Sequence, residues 1–221
     1  MRRLLAWGAD PDHVTKHYWD EHDRSFKVSV LAMAAGMGDL AKVRTLVEAG
    51  ANVHSQARRG VRLTATQAAA ARGSAHVVRY LLELGAKPDE APAYFRGRTA
   101  LQFAAAGGYI GIITLLMEHG ANPNEPRCPL EGRTAFEAAA ENGRIDTLYF
   151  LTENGVDLAS DGGEQHKNAK WLAEQKGHGG AVDTVEALYV QACQKQAASR
   201  MGILEAEASF RAFPDGDLWE I

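Results

Sequence analysis

The side chains with the most chemical potential sit in short stretches between apolar runs. One such stretch holds His13, His17, Asp20, Glu21, His22 and Asp23. On a helix, the i, i+4 spacing of His13 and His17 would put both imidazoles on one face, as a zinc pair requires. The residue after the first histidine is not the glutamate of the metalloprotease motif. The spacing is common, the cluster reads as solvated, and no metal is expected. The other histidines, His54, His76, His119, His166 and His178, are scattered along the chain. His119 precedes a glycine at the end of an apolar run, where an imidazole would interact favourably with a helix C-terminus.

The remaining stretches are rich in arginine. Arg58, Arg59 and Arg62 lie with no acid between His54 and Leu63. Ala93-Tyr94-Phe95-Arg96 is followed by Arg98, and a third stretch carries Arg127, Leu130 and Arg133. Arginine beside exposed aromatics is the composition of binding hot spots. An equally open reading packs Tyr94 and Phe95 on their neighbours and pairs the arginines with Asp89, Glu90, Glu125 and Glu131. No catalytic set accompanies them. Gly177-His178-Gly179-Gly180 lacks the Lys-Ser/Thr of a phosphate loop, and there is no nucleophile elbow or kinase-like set. An enzyme is not expected, nor is a cofactor.

What positions these stretches is a 35-residue self-similarity. Gly38, Gly73, Gly108 and Gly143 are evenly spaced, as are Gly50, Gly85, Gly120 and Gly155. Leu46, Leu81, Leu116 and Leu151 recur in step, and so do Glu48, Glu83, Glu118 and Glu153. A period of this size implies stacked supersecondary units, none able to bury its apolar face alone. In the unit from Arg98 to Asn122, Thr99 reads as a helix start before Leu101, Ala104 and Ala105. Gly107-Gly108 break that helix, Ile110, Ile113, Leu116 and Met117 form a second amphipathic one, and Gly120 ends it. The proline-bearing Ala121-Asn122-Pro123-Asn124 then leads outward. The four glutamates fall on the outer helices as a solvated ladder.

In the Thr-Ala-Leu-Gln-Phe-Ala-Ala segment from Thr99 to Ala105, Gly108, Leu115-Leu116 and Gly120-Ala121-Asn122, the chain resembles the ankyrin repeat family. The same frame fits Ser29–Asn52, Thr64–Asp89 and Thr134–Asp157. A looser copy runs from Asn168 to about Leu188, with two or three extra residues expected at Gly179-Gly180. The resemblance implies an all-α ankyrin-repeat solenoid of about five helix-turn-helix repeats with β-hairpin fingers and a C-terminal capping helix. Two extra residues per unit, relative to the family's usual length, fall in the fingers, and the segment Pro11 to Lys27 is longer still. The Gly-Arg-Thr-Ala openings at Gly97 and Gly132 resemble ankyrin arrays of large fungal proteins.

The expected organisation is an array over 1–190 and a helix with tail over 191–221. Within the array, a partial repeat at 1–10 precedes repeats at about 25–57, 60–92, 95–127, 130–160 and 164–190. Leu4, Leu5 and Trp7 look like an interface, as in a piece of a longer array, and the pattern from Val182 through Arg211 suits a cap.

The resemblance implies a non-catalytic protein-interaction module, meeting its partner on the concave face and fingers. Arg58, Arg59, Arg62, Tyr94, Phe95, Arg96, Arg98, Arg127 and Arg133 are the candidate contact residues, and the basic fingers suggest an acidic protein partner. A formal net charge of −4 and a pI near 6.1 count against a dedicated nucleic-acid binder. Two other readings stay open: an anionic-ligand binder, for nucleic acid or lipid, and the recognition part of a larger enzyme or sensor. Cys128 and Cys193 read as free thiols in a reducing compartment, and no apolar run is long enough for a membrane span. An intracellular location is expected.

Overall fold

The computed structural model describes residues 2–18, 25–54, 63–93, 97–160 and 162–211. A short helix α1 (Arg2–Ala6) leads into an antiparallel pair, β1 (Val14–Tyr18) and β2 (Ser25–Ser29), in which His17 faces Phe26 in register. Helix pairs follow: α2 (Val30–Gly36) with α3 (Leu40–Glu48), α4 (Ala65–Arg72) with α5 (Ala75–Glu83), and α6 (Ala100–Gly107) with α7 (Ile110–Glu118). Then come α8 (Ala135–Glu141) with α9 (Ile145–Glu153), and α10 (Glu164–Gln175) with α11 (Gly179–Arg211). The chain is an all-α solenoid of stacked helix pairs with one small two-stranded sheet among its described residues.

The first helix of each of the first four pairs is held at its start by a side chain, whereas α10 begins at Gly163 with no side-chain cap. Ser29, Thr64, Thr99 and Thr134 each accept a hydrogen bond from the backbone N–H three residues on. Gln67, Gln102 and Glu137 return the bond to the threonine N–H, which closes the capping box. Alanine dominates α4, α6 and α8, is frequent in α2 and supplies Ala169 and Ala173 in α10, so these five helices pack directly against one another, with Gly36 beside Ala68. The second row carries Val43, Leu46, Val78, Leu81, Ile113, Leu116, Leu148 and Leu151, all buried, and its helices stand farther apart. A row of small side chains beside a row of large ones curves the array toward the small row. The first-row helices therefore line the concave side.

The turn inside each pair explains one glycine series. Gly73 ends α4 with φ +78, a left-handed conformation that only glycine adopts freely, and a Cβ there would lie 2.7 Å from the Tyr109 ring. Ser74, Tyr109, Arg144 and His178 each cover the glycine of the preceding repeat in this way. The stack is thus locked by one residue per repeat.

His13 and His17 lie in an extended segment rather than on a helix turn, with His17 inside β1. One sequence expectation is corrected, that of extra residues at Gly179-Gly180. Ala139, Gly143, Thr147 and Leu151 recur 34 residues later as Ala173, Gly177, Ala181 and Val185, with matching burial at the three non-glycine positions. No insertion is present there. The two glycines are the first turn of α11, which runs without interruption through residue 190 to Arg211.

Candidate interaction surface

Of the nine residues expected to meet a partner, Arg58, Arg59, Arg62, Tyr94, Phe95 and Arg96 lie outside the described residues. The structure places the other three at two ionic stations on the concave side. Arg98 and Arg133 are the residues immediately before the N-cap threonines of α6 and α8, so each is carried on a fixed helix start. They converge on one carboxylate. Arg98 Nη2 donates to Glu141 Oε2 at 3.1 Å, and Arg133 Nη2 donates to Glu141 Oε1 at 3.4 Å, with its Nε 3.4 Å from Oε2. The Arg98 guanidinium also lies over the Phe103 ring, 6.0 Å from its centre. Burial lowers the Arg98 pKa from its ordinary value, opposed by Glu141 and reinforced by the like charge of Arg133.

The second station is built around Arg127. Its Nη1 donates to Glu137 Oε1 at 3.3 Å and its Nη2 to Glu164 Oε1 at 3.0 Å. Glu137 is the departure from the repeat that creates this geometry. In the two preceding repeats a glutamine stands there: Gln67 Nε2 donates to Glu90 O at 2.9 Å, and Gln102 Nε2 to Glu125 O at 3.0 Å. A carboxylate cannot donate to the following excursion, and it recruits Arg127 instead. Between this excursion and the next lies an open cleft of about 440 Å³, lined by Asn124, Arg127, Glu137, Asp157, Glu164 and Asn168 among others.

Among the described arginines, Arg98, Arg127 and Arg133 take their carboxylate partners from Glu137, Glu141 and Glu164, and Arg133 Nη1 also donates to the Glu131 carbonyl at 3.4 Å. Asp89 instead accepts from Asn122 N at 2.8 Å, and Asn124 Oδ1 from Asp157 N at 2.9 Å. These bonds tie successive excursions together and fix the finger bases. Burial of Asp89 raises its pKa above the ordinary value, against the lowering effect of the Asn122 bond.

Sequence reading passed over Trp171. It sits 34 residues after Glu137, in the register of Gln67 and Gln102, and is 55% exposed. One residue earlier, Lys170 replaces the buried series Leu31, Thr66, Leu101 and Phe136 and pairs with Glu186 at 2.9 Å. Glu186 also accepts from His166 Nε2 at 3.2 Å, and the His166 ring stacks on Tyr189. Charged groups therefore cluster on this part of α10, and Trp171 is the exposed aromatic beside them. The signal was available in the sequence: the register position of Leu31, Thr66, Leu101 and Phe136 turns into lysine at Lys170.

On the opposite side, Glu48, Glu83, Glu118 and Glu153 are all exposed at the ends of α3, α5, α7 and α9. His119 Nδ1 donates to Leu115 O at 2.9 Å, as expected of an imidazole at a helix C-terminus. No helix among the described residues is long and apolar enough to cross a membrane.

This architecture defines a class, the repeat solenoids whose function lies in a surface. The family model for ankyrin repeats matches residues 31–127 and 88–162, together more than half of the chain, and the protein belongs to that family. Comparison with curated proteins returns no match. Ankyrin repeats generally mediate protein–protein interaction, and the family is typically non-catalytic.

Proposed function

We propose that this array is a non-catalytic module that binds a protein partner across its concave face and fingers. The observation that carries the reading is the asymmetry between the two rows. On the concave side, arginines, carboxylates and Phe103 form ordered stations, with Arg98 and Arg133 carried just before the N-cap threonines of α6 and α8. On the other side, the described glutamates form a solvated, regularly repeated ladder, which offers the same motif to any partner and so little selectivity. The contact set is Arg98, Arg127 and Arg133 together with the sequence candidates Arg58, Arg59, Arg62, Tyr94, Phe95 and Arg96. The proposed organisation is repeats over 1–190, with α11 carrying the chain across that boundary into 191–221.

The test uses the full chain as bait and then asks which face matters. The concave pair R98E/R133E is predicted to lower the affinity of a captured partner at least 10-fold, while E48K/E83K on the outer row leaves it unchanged. Loss of binding in E48K/E83K with R98E/R133E unaffected would place the contact on the outer row and refute the reading.

A further inference from the structure

One carboxylate serves two guanidiniums at the first station, so the group of Arg98, Arg133 and Glu141 carries a net charge of +1. Arg133 is the more fully engaged of the two, because its Nη1 also donates to Gly132 O at 2.9 Å. Arg98 directs Nη2 at Glu141, and a planar guanidinium offers two edges for bidentate bonds to carboxylate. Both arginine side chains are about one-quarter exposed, 23% and 24%, and therefore reachable yet partly withdrawn from water. A charge-assisted bond formed in such a place is screened less than one on an open surface.

Glu141 is not part of the repeat's ordinary spacing. Its register equivalents are Gly36, Ala71 and Ala106, all small and uncharged. The acid stands where two arginines from successive repeats converge, one turn of the solenoid apart. It is a built-in counter-ion that orients the two guanidiniums and leaves one positive charge unbalanced.

We infer that the Arg98–Arg133 pair is a carboxylate receptor, which seats an aspartate or glutamate side chain of the protein partner against Arg98 while Glu141 holds both guanidiniums in place. This rests on the reading that the partner meets the concave face, and it names the chemistry that the partner must present there. Glu141 competes with the incoming carboxylate, so it sets a threshold that a weakly acidic surface does not cross.

The probe is a hexaglutamate peptide, with hexalysine as control, added to the isotopically labelled full chain while the arginine Nε–Hε resonances are followed by NMR. Hexaglutamate is expected to shift Arg98 and Arg133 saturably, and hexalysine is not. R98Q is expected to weaken the peptide at least 10-fold, and R98K, which keeps charge without the planar fork, about 3-fold. The discriminating variant is E141Q, expected to strengthen binding about 3-fold because the competing carboxylate is gone. Weakened binding in E141Q, with its melting curve unchanged, would mean that the group merely braces the local structure, and it overturns the inference. Absence of a saturable shift at Arg98 and Arg133 overturns it equally. A captured partner that contacts α4, α6 and α8 yet is indifferent to R98Q sinks this inference alone. One that contacts only α5 and α7 sinks the reading beneath it.

Discussion

Arg127 Nη1 lies 3.3 Å from Glu137 Oε1, and Glu137, nearly inaccessible at 2%, occupies the position that glutamine holds in the two preceding repeats. The bond replaces a contact with the following excursion by one from the preceding excursion. R127A would leave a buried carboxylate without its cation, which costs about 1–3 kcal/mol. In R127A/E137Q the glutamine regains the ability to donate to the next excursion, as Gln67 and Gln102 do. The double variant is therefore expected to be more stable than R127A in urea denaturation. A double variant less stable than R127A would show that the glutamine geometry cannot be restored there.

Gly73 and Gly120 separate two costs that sequence alone merges. Both have positive φ, +78 and +91, but a Cβ at Gly73 meets the Tyr109 ring whereas one at Gly120 meets nothing within 4 Å. G120A is expected to cost about 1–2 kcal/mol from backbone strain. G73A should cost that plus about 1–3 kcal/mol for displacing the ring. Equal denaturant midpoints for the two variants would mean that Tyr109 moves aside freely.

Asp89 gives a pH dependence of unusual sign. Its pKa is raised in the fold by burial, so the folded state binds the proton more readily than the unfolded state does. Its contribution is present below the ordinary carboxylate value of 3.8 and is lost as pH rises through the folded value. Asp39, Asp157 and Glu186 are lowered by their hydrogen bonds and act oppositely, losing stability as pH falls. D89N keeps an oxygen to accept from Asn122 N and removes the buried charge. At neutral pH it is expected to melt higher than the parent, with the gap closing on acidification. A lower melting temperature at neutral pH would show that the Asn122 bond requires the full carboxylate.

The repeat frame was legible because each unit states its own ends. Thr99 with Gln102 marks a helix start, and Gly108 and Gly120 mark the stops, in agreement with the caps and left-handed turns found. Where reading failed, the cause was distance along the chain. Arg98 and Arg127 take partners from the following repeats, 43 and 37 residues away, while the eye pairs them with nearby acids. Gly179-Gly180 reads as a break, since glycine weakens an isolated helix, yet packing of Ala181, Val185 and Leu188 in the core holds it helical. Among the described residues, the strand pair formed in the first excursion, which is also the longest.

The most direct test of the concave reading is amide hydrogen exchange on the full chain, free and saturated with its captured partner. Slowed exchange is predicted in α4, α6 and α8 and at the helix starts 97–99 and 132–134, with α3, α5, α7 and α9 unchanged at their exposed ends. Protection confined to α3, α5, α7 and α9 would contradict it.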